Sequence, residues 1–278
     1  MKGRVSIVIP TRNSAEFLEN SLKTIKSQSY PDIETIIVDG KSKDATIAIS
    51  KKYHCKIYQF VPKVKIGLFD APYKRNLGME RATGEYVYWM DADMELPKNL
   101  IAEAVSLCKK GFDAVVLPED SFGVGIWSMA KWLERRCYWK DNTVECSRFY
   151  KKSVWKDIGG FDESLGAGGD DLDLAQKLVE KGYKVGRTKS IVRHNEGNLT
   201  FKKLYKKKFM YGREMLKYII KRPKSSIVSY FPIRRAYIRN WRFLLRHPYT
   251  TMVFIFMRSV EYMAGFAGLI YSFFERRR

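Results

Sequence analysis

The first 117 residues alternate short apolar runs with stretches of helical periodicity, and that alternation leaves few folds open to the chain. Residues 5–9, 34–39, 56–61, 86–90 and 114–117 are too short for helices and rich in Val, Ile and aromatics, as strands are. Between them, Ser14 can cap a helix that carries Phe17, Leu18, Leu22 and Ile25 on one face. Further helices are expected from Ser42 and Asp44 through Tyr53, over 74–83, and from Pro97 to Lys110. Strands separated by helices and short polar turns build a parallel sheet with right-handed crossovers. Open sheets of this kind bind ligands beyond the carboxyl ends of their strands.

The strand at 86–90 runs straight into Asp91-Ala92-Asp93. On extended backbone, residues i and i+2 point to the same side, so both carboxylates can reach one ligand. Hard oxygen ligands suit Mg2+ or Mn2+, ions usually shared with substrate phosphates. Among 30 acidic residues in 278, such a spacing also arises by accident as a solvated turn, so context has to decide.

Charge divides the chain. Of a formal net charge of +21, residues 201–278 hold 19 Lys/Arg against 3 acids, while residues 1–200 are nearly balanced at 32 against 27. The C-terminal part therefore expects an anionic partner and the rest reads as an ordinary domain. At 45% hydrophobic and 14% aromatic the composition excludes a disordered chain. Cys55, Cys108, Cys137 and Cys146 form no C-x-x-C pair and read as small buried hydrophobes in a reducing compartment. The N-terminal apolar run meets Pro10 too soon to be a signal peptide.

Residues 125–140 set Trp127, Trp132 and Trp139 beside Lys131, Arg135, Arg136 and Lys140. Such a segment either lies at a membrane boundary or packs in the core with a basic outer face. A glycine-rich stretch at 166–169 then delivers Asp170, Asp171 and Asp173 to a helix start, where simple capping is the alternative to chemistry.

Several marks occur in a fixed order: Val8-Ile9-Pro10-Thr11-x-Asn13, Gln28-Ser29-Tyr30-Pro31-Asp32-x-Glu34-x-Ile36-Ile37-Val38-Asp39 and Ser42-x-Asp44-x-Thr46. Arg75-Asn76, Ala82-Thr83-Gly84-Glu85-Tyr86, Asp91-x-Asp93 and Gly159-Gly160-Phe161-Asp162-Glu163 before Asp170-Asp171 complete the set. The chain resembles a family-2 inverting glycosyltransferase over roughly residues 4–200. That resemblance implies the GT-A fold: α/β, Rossmann-like, a mostly parallel central sheet flanked by helices, here with C-terminal membrane-associated helices. It also implies a nucleotide-sugar site formed by Pro10, Thr11, Asp39, Arg75 and Asp91. Gly40 stands where the family often has a second Asp, which leaves UDP and GDP both open. Asp91, Asp93 and His194 are the implied ligands of Mn2+ or Mg2+, which would neutralise charge building on the leaving diphosphate. Asp171 is the implied base, with Asp170 beside it in the position where Glu is usual. A phosphate acceptor is already anionic and needs no base, so an acidic pair favours a sugar hydroxyl as acceptor.

Residues 201–248 carry 15 Lys/Arg and a single acid, interleaved with aromatics, as nucleic-acid binders and membrane-surface helices both do. Residues 249–274 favour the membrane, since Arg258 and Glu261 alone interrupt a helix long enough to span a bilayer. Those two can pair on one face, and Gly265 and Gly268 permit a close helix neighbour. Whether this stretch spans, lies in plane or forms a hairpin is left open by its basic flanks. Arg239-Asn240-Trp241 faintly resembles a motif of cellulose-synthase-like enzymes and is a candidate acceptor or diphosphate clamp.

The expected organisation is a catalytic domain at 1–200, basic interfacial helices at 201–248, and a hydrophobic helix or hairpin with a basic tail at 249–278. The expected activity is transfer of a hexose, mannose by preference, from a GDP- or UDP-linked donor to a lipid-linked (polyprenyl) saccharide. The expected setting is an anionic cell membrane, with the catalytic domain cytoplasmic, no nucleic-acid partner, and self-association through the C-terminal helices. Transfer to polyprenyl phosphate is the nearest alternative, and a non-enzymatic nucleic-acid-binding protein the alternative of another class.

Overall fold

The computed structural model describes residues 3–62, 69–166 and 169–275. Part of the glycine-rich stretch before Asp170 and the arginine tail at 276–278 lie outside the described residues. β1 (Val5–Thr11), α1 (Ala15–Lys26), β2 (Ile33–Asp39), α2 (Thr46–Lys52), β3 (Lys56–Gln59), α3 (Ala71–Arg81) and β4 (Tyr86–Trp89) alternate as the sequence predicts. Next come β5 (Met94–Glu95), α4 (Leu100–Lys109), β6 (Ala114–Val116), β7 (Glu119–Val124) and α5 (Ile126–Tyr138). β8 (Ser147–Lys151), α6 (Lys152–Asp157), α7 (Asp170–Glu180), β9 (Val185–Arg187) and β10 (Val192–Asn198) follow. The chain ends in α8 (Phe201–Lys221), α9 (Pro223–Tyr230), α10 (Arg235–Arg239), α11 (Trp241–Arg246) and α12 (Pro248–Glu275).

The main sheet has seven strands in the order β3-β2-β1-β4-β8-β6-β9. β1, β2, β3 and β4 are parallel, as βαβ units require, but β8 runs antiparallel between β4 and β6. Runs such as Ile7–Ile9 and Ile36–Val38 are buried on both faces, so helices must cover the sheet on both sides. Gly78 lets α3 press onto it, because a Cβ there would lie 2.3 Å from Val8 Cγ1.

A second, three-stranded sheet, β5-β10-β7, was not visible in the sequence. β5 spans two residues, and β10 is polar enough to read as a loop. The sheet forms because β10 pairs antiparallel with β5 and parallel with β7.

The 249–274 stretch is one unbroken helix within α12, which removes the hairpin. It lies along α8, where a Cβ on Gly268 would meet Phe209 O at 2.0 Å and one on Gly212 would meet Gly265 O at 2.0 Å. Among the described residues α12 is the one helix long and apolar enough to cross a membrane, with 33% of its most apolar window buried. α5 takes the core-packing alternative: Lys131 pairs with Glu134 and Glu261, Arg135 with Glu119, and Arg136 with Asp120. Its cations thus pair with acids of the chain itself, Glu119, Glu134 and Glu261 being buried.

Candidate active site

The carboxyl ends of β1, β2 and β4 open on one side of the main sheet, and the expected site residues gather there. At the β1 and β2 ends, Thr11 donates its hydroxyl to Asp39 at 2.9 Å, and Ser42 donates both its N–H (2.8 Å) and its hydroxyl (2.5 Å) to the same carboxylate. Asp39 is fully buried and so held in one orientation. Lys74, absent from the expected set, reaches Thr11 O at 3.1 Å and Asp70 Oδ1 at 2.8 Å. A Cβ at residue 40 would come within 3.2 Å of Lys74 Nζ and 3.1 Å of Asp70 Oδ2, so a second acid beside Asp39 would crowd this corner.

β4 ends at Trp89, two residues before Asp91, and the antiparallel course of β8 brings its first residues to that same end. Tyr88 pairs with Phe149, which sets Arg148 beside Trp89 and Asp91. Arg148 gives Nη1 to Asp91 Oδ2 at 3.2 Å and Nε to Glu119 Oε1 at 2.7 Å. Arg75, from α3, gives Nη2 to Asp91 Oδ1 at 2.9 Å and Nη1 to Asp170 Oδ2 at 2.6 Å. Both guanidinium groups stack on the Trp89 ring, at 4.3 Å for Arg75 and 4.0 Å for Arg148. Burial alone would raise the Asp91 carboxyl, but Arg148 and Arg75 hold it well below the usual range. Asp91 therefore has both oxygens engaged by arginine, and Arg75, expected at the nucleotide sugar, faces two carboxylates.

The second sheet assembles the metal side. His194 pairs across the ladder with Met94, and Asn195 N–H binds Asp93 O at 2.8 Å, so the imidazole meets the Asp93 side chain. Nε2 of His194 lies 3.3 Å from Asp93 Oδ2, and Nδ1 lies 3.2 Å from Glu119 Oε2. Burial disfavours the imidazolium, but Asp93 and Glu119 outweigh it and push His194 up to about 10. Asp93 Oδ1 is buried without a hydrogen-bond partner. An unpaired carboxylate oxygen beside an imidazole whose far nitrogen is held by Glu119 fits a divalent cation. Among the described residues no three His, Cys, Asp or Glu side chains converge on one point. Asp93 and His194 thus meet without Asp91, and a cation held there would need further ligands from a substrate's phosphates.

Asp170, Arg75, Asp91, Arg148, Glu119, His194 and Asp93 form one chain of alternating charge that joins α7 to the second sheet. Arg148 and Glu119 were missing from the sequence reading. Each sits in a short strand with no local signal that its partner lies in another strand.

The two carboxylates at the start of α7 differ. Asp170 is buried against Arg75, and burial pushes its carboxyl up to about 7, with Arg75 opposing and Asp171 adding to the rise. Among the described residues Asp171 accepts its neighbour's N–H, from Leu172 at 2.9 Å. It lines a polar cavity of about 60 Å³ with Glu119, Arg135 and Arg148. It also lines a larger cleft of about 510 Å³ between α7, α8 and α12. The two spaces meet at Val144 and Asp171. Arg239 and Asn240 do not reach this region: they bind Trp139 O and Cys137 O at 3.0 Å each, tying α10 to the end of α5.

Comparison with known proteins places the chain by family and fold. The profile of glycosyl transferase family 2 matches residues 6–161, more than half of the chain. The chain is 36% identical over 110 residues to the amylovoran biosynthesis glycosyltransferase AmsB of Erwinia amylovora, covering 38% of this chain and 36% of AmsB. It is 24% identical over 223 residues to glycosyltransferase AglE of Haloferax volcanii, covering 75% of this chain and 72% of AglE. Over 115 residues it is 27% identical to the GalNAc(5)-diNAcBac-PP-undecaprenol beta-1,3-glucosyltransferase of Campylobacter jejuni, covering 39% of this chain and 36% of that enzyme. Several of these matches thus span only about a third of the relative. Mannosyltransferase PcManGT from Pyrobaculum calidifontis, solved with GDP-Man and Mn2+, superposes at a TM-score of 0.67 and 18% identity over 98% of this chain and 88% of that one. TarS of Staphylococcus aureus in complex with UDP-GlcNAc superposes at 0.55 and 16% identity, over 89% and 78% of the two chains. At such identities the likeness concerns the fold, which is GT-A. From the profile match, the chain belongs to glycosyl transferase family 2.

Proposed function

We propose that the protein transfers one hexose, with inversion, from a nucleoside diphosphate sugar to a hydroxyl of a lipid-linked saccharide at a membrane surface. The observation that carries this reading is the position of Asp171, where the polar cavity beside the charge chain meets the larger, more apolar cleft. A donor would occupy the first side and an acceptor the second. Thr11 and Asp39 would hold the nucleoside, Lys74 standing near, and Asp93 with His194 would hold Mn2+ or Mg2+. Such an ion supplies Lewis-acid stabilisation of the departing diphosphate. Asp171 takes the proton of the acceptor hydroxyl while that oxygen bonds to the anomeric carbon. The bond from that carbon to the diphosphate oxygen breaks on the opposite face, and the nucleoside diphosphate leaves with the electron pair.

Mannose from GDP-Man is the favoured donor, a choice supported by the ligand of PcManGT. A lipid-linked saccharide acceptor is supported by the name of the Campylobacter relative and by the apolar outer face of α12. Free thiols at Cys55, Cys108, Cys137 and Cys146 support a cytoplasmic catalytic domain. A screen of UDP- and GDP-sugars for Mn2+-dependent hydrolysis tests the donor. For the base, Asp171→Asn should abolish transfer and leave nucleotide affinity unchanged; turnover like that of the parent enzyme would exclude Asp171.

A further inference from the structure

One wall of the 510 Å³ cleft carries cations that the transfer step does not use: Arg234, Arg258 and Lys208. Arg258 Nη1 lies 2.9 Å from Glu134 Oε1 and also pairs with Glu261, and Lys208 Nζ lies 3.6 Å from Glu261 Oε1. Lys131 bridges the same two glutamates at 2.7 Å each. Among the described residues the carboxylates within ion-pairing distance of Lys131, Lys208 and Arg258 are Glu134 and Glu261, so the cations of this group outnumber its paired acids by one. Arg234 adds another: it donates to the Ser229 carbonyl, packs 5.3 Å from the Tyr138 ring and has no carboxylate partner among the described residues. The Nε–H groups of both Arg234 and Arg258 are buried without an acceptor. The guanidinium-bearing residues Arg234 and Arg258 line the open cleft, and a surplus of cations there matches what an oxyanion supplies.

The rest of the lining is of another kind. Met215, Gly265 and Phe266 also line the cleft, and Phe266 is 63% exposed, so its apolar side runs out to the free face of α12. An anion seat joined to an apolar exit suits a molecule that is charged at one point and greasy beyond it. We infer that this cleft seats the phosphate or diphosphate of a lipid-linked acceptor, with the oxyanion on Arg234 and Arg258 and the lipid leaving past Met215, Gly265 and Phe266. The inference rests on the transferase reading above and adds the part of the acceptor that is recognised. Asp171 lines the same cleft, so the base and the phosphate seat open on one space.

The test uses the full chain in detergent with Mn2+ and saturating UDP or GDP, so that the donor side is filled. Binding of farnesyl diphosphate, inorganic pyrophosphate and farnesol is measured by calorimetry on the parent protein, Arg234→Gln and Arg234→Lys. The expected result is that farnesyl diphosphate binds at least about tenfold more tightly than either fragment. Arg234→Gln should weaken it about tenfold or more, Arg234→Lys less, and nucleotide affinity should stay at the parent value. Pyrophosphate binding as tightly as farnesyl diphosphate would overturn the lipid half of the inference. Farnesol binding as tightly, with Arg234→Gln silent, would overturn the anion half. Absent farnesyl diphosphate binding with nucleotide binding retained overturns the inference alone, whereas loss of both nucleotides from the parent protein sinks the transferase reading itself. Should Arg234→Gln melt early, Arg234→Lys still reads the anion contact, because it keeps the charge and loses the fork.

Discussion

Asp170 and Asp171 are adjacent and chemically identical, yet the fold gives them opposite surroundings. Asp170 turns inward to an Arg75 that is shared with Asp91, while Asp171 turns to the cleft. Half-neutralised by its shared partner, buried Asp170 is pushed up to about 7. Its folded value then lies above the unfolded one of about 3.9. The stability it contributes is complete below about pH 4 and is lost as pH rises through about 7, at up to about 1.4 kcal/mol per unit. His194, carried up to about 10 by Asp93 and Glu119 against burial, acts in the same sense over a higher range. Asp170→Asn should therefore flatten the fall of Tm between about pH 4 and 7 and leave the fall at higher pH in place. Equal slopes for the variant and the parent in the lower window would contradict this account. Residues of this kind were legible in the sequence only as a pair; which of the two meets solvent depends on a contact between α7 and α3 that no local pattern encodes.

At the level of elements, the parallel strands were readable because each is a short apolar run closed by a turn. Nothing local fixes the direction of β8, and that direction matters most for the site: it delivers Arg148 to the end of β4. Pairing of the two-residue β5 with the polar β10 likewise depends on tertiary contact, and with it the meeting of Asp93 and His194. The glycines of α12 were read correctly as marks of a close neighbour, and the structure separates their roles. A Cβ on Gly268 would meet Phe209 O at 2.0 Å and Phe209 C at 2.9 Å, backbone atoms that cannot swing away. A Cβ on Gly265 would find its nearest neighbour, Lys208 O, at 3.9 Å. Gly268→Ala should thus push α12 off α8 and destabilise by about 1–3 kcal/mol, outweighing a helix-propensity gain of about 1. Gly265→Ala should be neutral or stabilise by up to about 1 kcal/mol. Urea unfolding of the two variants decides the matter: equal midpoints would mean that the helices are not packed as closely as described.

Across the whole molecule, the uneven charge read from composition acquires a place. Part of the C-terminal cationic excess is met within the chain, where Arg258, Lys221 and Arg222 pair with Glu134, Asp162 and Asp173. Lys202, Lys203 and Lys206 on α8 are exposed and remain to meet a partner outside the chain. Met252, Ile255, Phe256 and Met263 on α12 are each more than half exposed, a cost in water that lipid would remove. An anionic leaflet offers about 1 kcal/mol for each Lys near its surface, so exchanging the three exposed lysines for glutamate should weaken vesicle binding by about a hundredfold or more. That loss should appear with vesicles rich in phosphatidylserine and shrink as salt is raised from about 0.1 M to about 0.5 M, where surface charges are screened. With neutral phosphatidylcholine vesicles the variant and the parent should bind alike, since only the apolar face of α12 then contributes. Equal loss on both kinds of vesicle would mean that the lysines support the fold rather than face a membrane. No loss on either would turn the basic face of α8 away from lipid.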